Sequence, residues 1–480
     1  MSETIAAPDT SGSPPSGSGR TLRGNLGVGA IVFMVVAAAA PLGVIGGVIP
    51  LGIASGNGSG FPATFIIATA VFLLFALGFT AMTPFVDEAG AFFSYVRTSL
   101  GFPTGIGIAF VAIVTYVAIE AGVYGLLGLA GSAVVELAGG PAVPWWLVAA
   151  VAFAVTTYLG HRSIELSSRV LGVLLLAEIA IVAVLDLVIV VQGGDDGLST
   201  GIVDPQAILS GSVGIGLLFA VISYVGFEAT AIFRDEARDP ERTIPRATYL
   251  SLVLIGVFYA VTSWAFVSAW GDDEAVRRAT DEGATLLGDT AARYLGAFGA
   301  DVITVLYFTS LFACILAFHN VVARYVFALS QRDVLPATLS HPHRRHGSPH
   351  RASLWISAAV AVSIVAAAVL GLDPAAQFYT WFAGATTVGV IVLMVATSAA
   401  VLVFFARDRR GHSLWRVCIA PALGLAGLLA ALALILANLS DLVGGSSVLA
   451  WIIVGILVAA FGIGLAIGAR SRPAATVDPA

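Results

Sequence analysis

No lysine occurs in this chain: all 23 basic residues are arginine. Charge of either sign is scarce, at 11% of 480 residues, against 58% hydrophobic residues. A soluble domain carries about 25% charged residues, so this scarcity excludes a soluble enzyme, a nucleic-acid-binding protein and a secreted disulfide scaffold. Cysteine is nearly absent as well. Cys314 and Cys418 both lie inside apolar runs, which gives no disulfide framework and no metal site. No GxxxxGKS/T loop is found, and no stretch between the apolar segments has room for a nucleotide-binding domain, so ATP-driven transport by this chain alone is excluded.

What the chain has instead is long hydrophobic runs, which the alternating strands of an outer-membrane barrel never give. Twelve apolar segments lie at about 26–50, 63–86, 103–133, 143–160, 166–192, 211–233, 248–270, 299–330, 351–371, 378–406, 415–438 and 447–469. About 20 residues suffice to cross a bilayer as a helix. The predicted fold is therefore an all-α integral membrane protein with twelve transmembrane helices. Most arginines, among them Arg97, Arg238, Arg332, Arg351 and Arg407, fall on one side of that arrangement. Only Arg277, Arg278 and Arg293 fall on the other, in a long acidic loop. The positive-inside rule then places both termini in the cytoplasm of a cell whose inner membrane the chain spans many times. Residues 1–23 are Ser-, Gly- and Pro-rich, lack the pattern of a signal peptide, and are predicted to be a disordered cytoplasmic tail. A second tail is predicted at 471–480.

Two spans should not be regular helices. In the first, Pro41 removes an amide donor and clashes with the preceding turn. In the sixth, Gly226 is a weak point and Glu228 is a charge at depth. Irregular backbone in a bilayer survives only where protein or a water-filled cavity satisfies it. Spans one and six correspond if the chain repeats every five helices, and five is odd, so the second copy runs inverted. Interrupted helices in matching positions of inverted halves point to a transporter's binding site. Each break bares amides suited to a carboxylate and carbonyls suited to an ammonium. A zwitterionic α-amino acid fits both.

The segment GFEATAIFRDEARDPERTIPRA (226–247) resembles the stretch that ends the sixth helix in the amino acid–polyamine–organocation superfamily of permeases. EAGAFFSYVRTSLG (88–101) is similar to that superfamily's element between helices two and three, and NVVARYVFALSQRDVLPATL (320–339) to the end of its eighth helix. The resemblance implies a LeuT-like fold: a 5+5 inverted repeat (about 26–192 and 211–406, within a core of 24–408) with broken helices 1 and 6. Two C-terminal helices in 409–470 follow. It also implies alternating access, with the substrate held at Ala39, Ala40 and Leu42 of the first break and Ser223, Tyr224, Val225 and Gly226 of the sixth. Ile222 falls where relatives place a bulky gating side chain. The Ala-Ala-Ala-Pro-Leu-Gly run departs from the glycine-serine-glycine break of many relatives.

Ionisable groups at membrane depth are functional candidates. Glu120, Glu178 and Glu228 lie near span centres. Glu228, beside the break, is the first candidate for proton coupling and Glu178 the second; Glu120 is read as a substrate contact or a structural hydrogen bond. Asp186 is read as reaching the outer interface and Arg324 as a tie near the inner face. The hydroxyl pair Thr309–Ser310, a possible sodium ligand, lies ~15 Å along the axis from Asn320 and is read as too far out. His319 is expected to be satisfied by a neighbouring helix, the His341-His343-His346 tract to be a solvated face, and Gly43 and Gly47 to mark close helix packing.

The function expected is a secondary transporter importing an amino acid, with protons, across the cell membrane. It needs no cofactor, no metal and no catalytic residue, and its partners are the small-molecule substrate, protons and lipid. The alternatives are a polyamine or cationic-amine permease, or an exchanger. A channel or integral membrane enzyme is the reading of a different class.

Overall fold

The computed structural model describes residues 26–86, 92–161, 168–228, 230, 237–332, 334–341 and 349–471. The tail at 1–23, all but one residue of that at 471–480, His343, His346 and parts of the motifs at 88–101 and 226–247 lie outside the described residues. Among the described residues 86% are helical, and the strand-like pairing is one isolated bridge between Leu26 and Ala237.

The first apolar segment begins as α1 (Val28–Ala38), apolar on every face, as a helix surrounded by lipid and other helices should be. Pro41 ends it. A proline ring disfavours the helical region for the residue before it; Ala40 leaves that region for left-handed backbone, at φ 46°. Pro41 then starts a new helical turn, where its missing N–H costs nothing. The chain continues to residue 57 through two wide π-type turns, Val44–Val48 and Ile53–Asn57. After it come α2 (Phe61–Met82), α3 (Phe92–Leu100), α4 (Phe102–Leu137), α5 (Trp145–His161) and α6 (Ser168–Gln192). The sixth segment starts as α7 (Val213–Ile222) and stops. Beyond it lie α8 (Pro240–Trp270), α9 (Asp272–Glu282), α10 (Leu286–Ser330), α11 (His350–Leu370), α12 (Thr380–Arg407), α13 (Ala420–Leu442) and α14 (Ser447–Arg470).

Among the described residues nine helical stretches are long and apolar enough to cross a membrane; the first, Val28–Phe85, contains two of the segments read from the sequence. Two shorter apolar helices, α5 and α7, fall on the fourth and sixth segments. α4 is the centre of the bundle: its apolar window is 83% buried, against 28% for α13 and α14. Outward-facing Val173, Leu187, Val369 and Trp451 remain exposed. That much apolar surface needs a cover, and in a chain this hydrophobic the cover is lipid.

Beyond the spans, α9 carries Asp272, Asp273 and Glu274 in its first turn. Arg277 and Arg278 both pair with Glu274, and the Arg277 hydrogen bond holds that exposed carboxyl below the usual range. Next to α9, Trp270 is stacked on two guanidinium groups, Arg278 at 3.8 Å and Arg293 at 4.5 Å from the ring centre. Its indole N–H donates to Thr290 Oγ1 at 3.0 Å.

The positive φ at Ala40 gives a signed prediction. Left-handed backbone costs an L-residue about 1–2 kcal/mol, and glycine there recovers that at an entropic cost of about 0.5–1 kcal/mol. Ala40→Gly should therefore raise stability by about 0.5–1 kcal/mol, read as a higher melting temperature of the detergent-solubilised protein.

Candidate binding site at the two helix breaks

After Ile222 the sixth segment leaves helical geometry. Tyr224, Val225 and Phe227 bond back three residues instead of four, each at 3.1 Å, and Gly226 takes φ 110°. A side chain built on Gly226 would stand 3.6 Å from the Ala38 methyl, so the two breaks touch. The sequence put them at Pro41 and Gly226, and there they are.

Between them lies a small cavity. Ala38, Ala39, Ala40, Gly43, Val44 and Val48 form one wall, and Ile222 and Val225 the opposite one. Ile119, Val123 and Leu126 of α4, Leu311, Cys314 and Phe318 of α10, and Tyr379 complete it. It offers about 40 Å³ to the centres of water molecules, room for a few waters. Among the described residues no carboxylate, guanidinium or imidazole lines it. Gly43 permits the approach of Leu311, and Gly47 that of Leu126, so the predicted close packing around these glycines is present.

Only some of the expected contacts face this cavity. Ala39, Ala40, Ile222 and Val225 do. The Ser223 hydroxyl donates back to the Phe219 carbonyl at 2.9 Å. Tyr224 points away to α2, its hydroxyl donating to the Phe65 carbonyl at 3.0 Å and meeting Thr69 Oγ1 at 2.6 Å. The Leu42 amide faces the Glu178 carboxylate. Gly226 N–H donates to Glu228 Oε2 at 3.0 Å, and Tyr116 O–H donates to Glu228 Oε1 at 2.6 Å. The Leu42 and Gly226 amides thus each face a carboxylate, one from α6 and one from the sixth segment itself.

Glu178 also accepts from the Ser310 hydroxyl at 2.8 Å, and these two share a second, smaller cavity with Ala37 and Thr309. This corrects the reading of Thr309–Ser310 as too far out. The distance was taken from Asn320, whereas the cavity between the breaks meets α10 at Leu311, Cys314 and Phe318, within a turn or two of the hydroxyl pair. Asp186 is corrected too. It is 6% exposed and accepts from Thr262 Oγ1 of α8 at 2.7 Å, because α8 packs over it before it can reach an interface. Arg324 is exposed.

Glu120 turns away from the cavity to α10. Its Oε1 is 2.8 Å from His319 Nδ1, and His319 Nε2 is 2.8 Å from Ser353 Oγ of α11. All three residues are at most 1% exposed. His319 is satisfied by neighbouring helices, as expected, though its partner Ser353 was not foreseen. Nor was Tyr116, which stacks on Phe318 at 6.2 Å and so connects the cavity wall to Glu228. An unmarked tyrosine in an apolar helix gives no sequence signal; only the contact does.

The histidine fits because residue 160 of α5 is glycine. A methyl there would stand 2.6 Å from His319 Nε2 and 3.1 Å from Ser353 Oγ. Gly160→Ala should displace the ring, strip a buried carboxylate of its partner and cost roughly 1–3 kcal/mol, measured as a drop in melting temperature with the helical circular-dichroism spectrum retained.

The profile of the family described as amino acid permease matches residues 26–459. An uncharacterized transporter of Mycobacterium tuberculosis is 30% identical over 260 residues, 54% of this chain and 52% of its own length, so the match spans about half of that relative. A low-affinity putrescine importer of Escherichia coli is 24% identical over 73% of this chain and 76% of its own. A branched-chain amino acid permease of Bacillus subtilis is 22% identical over 72% and 74%.

Proposed function

The chain belongs to the amino acid permease family, a family of transporters and not enzymes, and from that premise we propose that it is a secondary active transporter importing a small apolar α-amino acid by alternating access. The observation that carries this reading is the apolar cavity where the two interrupted helices meet. Among the described residues its wall offers a cargo no charged side chain, so charge on the cargo is met by main-chain groups at the breaks. Helix termini supply these in both signs, amides for a carboxylate and carbonyls for an ammonium. An α-amino acid carries both groups on one carbon. A diamine such as the Escherichia coli relative's putrescine carries a second cation that would find no carboxylate in the wall. This favours the amino acid over the polyamine alternative, whether the cycle runs as net uptake or exchange.

The assembly we propose has twelve crossings, the 26–192 and 211–406 repeats inverted, helices 11 and 12 added, and both termini in the cytoplasm. Ala39, Ala40, Ile222 and Val225 contact the cargo directly; Leu42, Ser223, Tyr224 and Gly226 act through their main chain or their packing. Glu228 and Glu178 are the coupling carboxylates. Each sits on an amide that a substrate carboxylate would use, so protonating either acid frees a donor for cargo.

A thermal-shift screen of the purified protein against the common amino acids, γ-aminobutyrate and putrescine tests the cargo. Ligand at one hundred times its Kd stabilises by about 2.7 kcal/mol. Alanine, valine, leucine or isoleucine should raise the melting temperature; a rise with putrescine alone overturns the assignment. Uptake into vesicles that survives a protonophore but requires sodium overturns the coupling.

A further inference from the structure

We propose that Glu120, His319 and Ser353 form a proton relay connecting the end of the bundle marked by His161 and His350 with the wall of the central cavity. The three side chains come from α4, α10 and α11, so no single helix explains their meeting. Both imidazole nitrogens are engaged, at 2.8 Å each, and the second Glu120 oxygen is buried without a hydrogen-bond partner. A buried charged acceptor left bare is costly, and a proton on that carboxyl lowers the cost by removing its charge.

The relay has an inlet and an outlet. Ser353 lies one helical turn from the start of α11. His350 stands at that start, and its ring meets the His161 ring, at the end of α5, with centres 5.5 Å apart. At the other end, Glu120 and His319 lie behind the cavity wall: they face away from it, while their chain neighbours Ile119 and Phe318 line it. The other titratable groups facing the pair are Tyr124 of α4 and Cys314 of α10; neither bears charge near neutral pH, so the Glu120–His319 pair governs the local charge.

The transfer balances without any further reagent. With the proton on Nδ1, the ring donates to Glu120 and accepts from Ser353. A proton arriving at Ser353 Oγ lets that hydroxyl pass its own proton to Nε2, while the Nδ1 proton moves to Glu120 Oε1. The result is a neutral carboxyl, a ring protonated on Nε2, and a serine hydroxyl restored and reoriented to accept from the ring. One proton has entered and one has reached Glu120.

The test reads the ring directly and needs no cargo, so it stands apart from the transport assignment. The full chain, labelled with ¹⁵N in its histidine rings, is placed in lipid nanodiscs and its nitrogen spectrum recorded at pH 8.5 and pH 5. His319→Gln identifies the signals among the seven histidines; if that variant does not fold, Ser353→Ala does so by removing the Nε2 partner. The expected result is an exchange of roles: Nδ1 protonated at high pH, Nε2 at low pH, with the exchange lost in Glu120→Gln. A ring identical at both pH values overturns the proposal, as does one that switches equally in Glu120→Gln. A ring carrying protons on both nitrogens at pH 5 also overturns it, because the proton would then rest on His319 and not reach Glu120.

Discussion

Glu228→Gln is expected to lower proton-driven accumulation at least tenfold while leaving exchange of labelled for unlabelled substrate within about threefold, a difference of at least ~0.7 kcal/mol at the coupled step. The hydrogen bonds explain why the two activities should separate. Glu228 accepts one bond from the Gly226 amide and one from the Tyr116 hydroxyl. A glutamine can keep both, its oxygen accepting from Gly226 and its NH₂ donating to the tyrosine oxygen, since a phenolic oxygen both donates and accepts. The variant therefore resembles the protonated acid permanently, with the local structure intact and nothing left to titrate. Glu228→Ala removes both partners and leaves two buried donors bare, at roughly 1–3 kcal/mol each, so both activities and the melting temperature should fall together. Reconstituted vesicles with and without a pH gradient distinguish the two patterns. Wild-type accumulation by Glu228→Gln would remove this residue from the coupling step.

The second large effect belongs to Gly226→Ala. At φ 110° an L-residue is strained, at about 1–3 kcal/mol. Space is not the obstacle: among the described residues the added methyl would meet Ala38 alone, at 3.6 Å. The backbone must instead rotate, carrying with it the amide that faces Glu228. Uptake should drop more than tenfold in protein that remains monodisperse. Gly29→Ala, exposed in the first turn of α1 at ordinary φ and with no atom of the described residues within 4 Å, should transport like wild type. Equal uptake by both variants would show that the geometry at Gly226 is dispensable.

These residues also mark what a reader of the sequence can and cannot obtain. Pro41 and Gly226 announce the breaks because their effect is local: a ring that bars its neighbour from helical geometry, and a residue free to adopt a φ that others avoid. Glu228 could be placed beside the break by counting. The rotational phase of each helix could not be read, because a helix apolar on all sides carries no amphipathic stripe to say which face is inward. Hence Tyr224 and Leu42 pointed elsewhere, Glu120 found a histidine on another helix, and Asp186 lay under α8 instead of at an interface. Thr309–Ser310 was misjudged for a related reason: axial distance was reckoned from Asn320, although only the packed bundle shows which level of α10 meets the cavity.

Trp270, with two guanidinium groups against its ring where α8 passes into α9, places a fluorophore at a seam between elements. Arg278 comes from α9 and Arg293 from α10, so any outward gating that parts these helices must pull a cation off the indole face. Trp270 is one of eight tryptophans, so the part of the emission that a Trp270→Phe variant removes would report such a parting as a change in colour, without an attached dye.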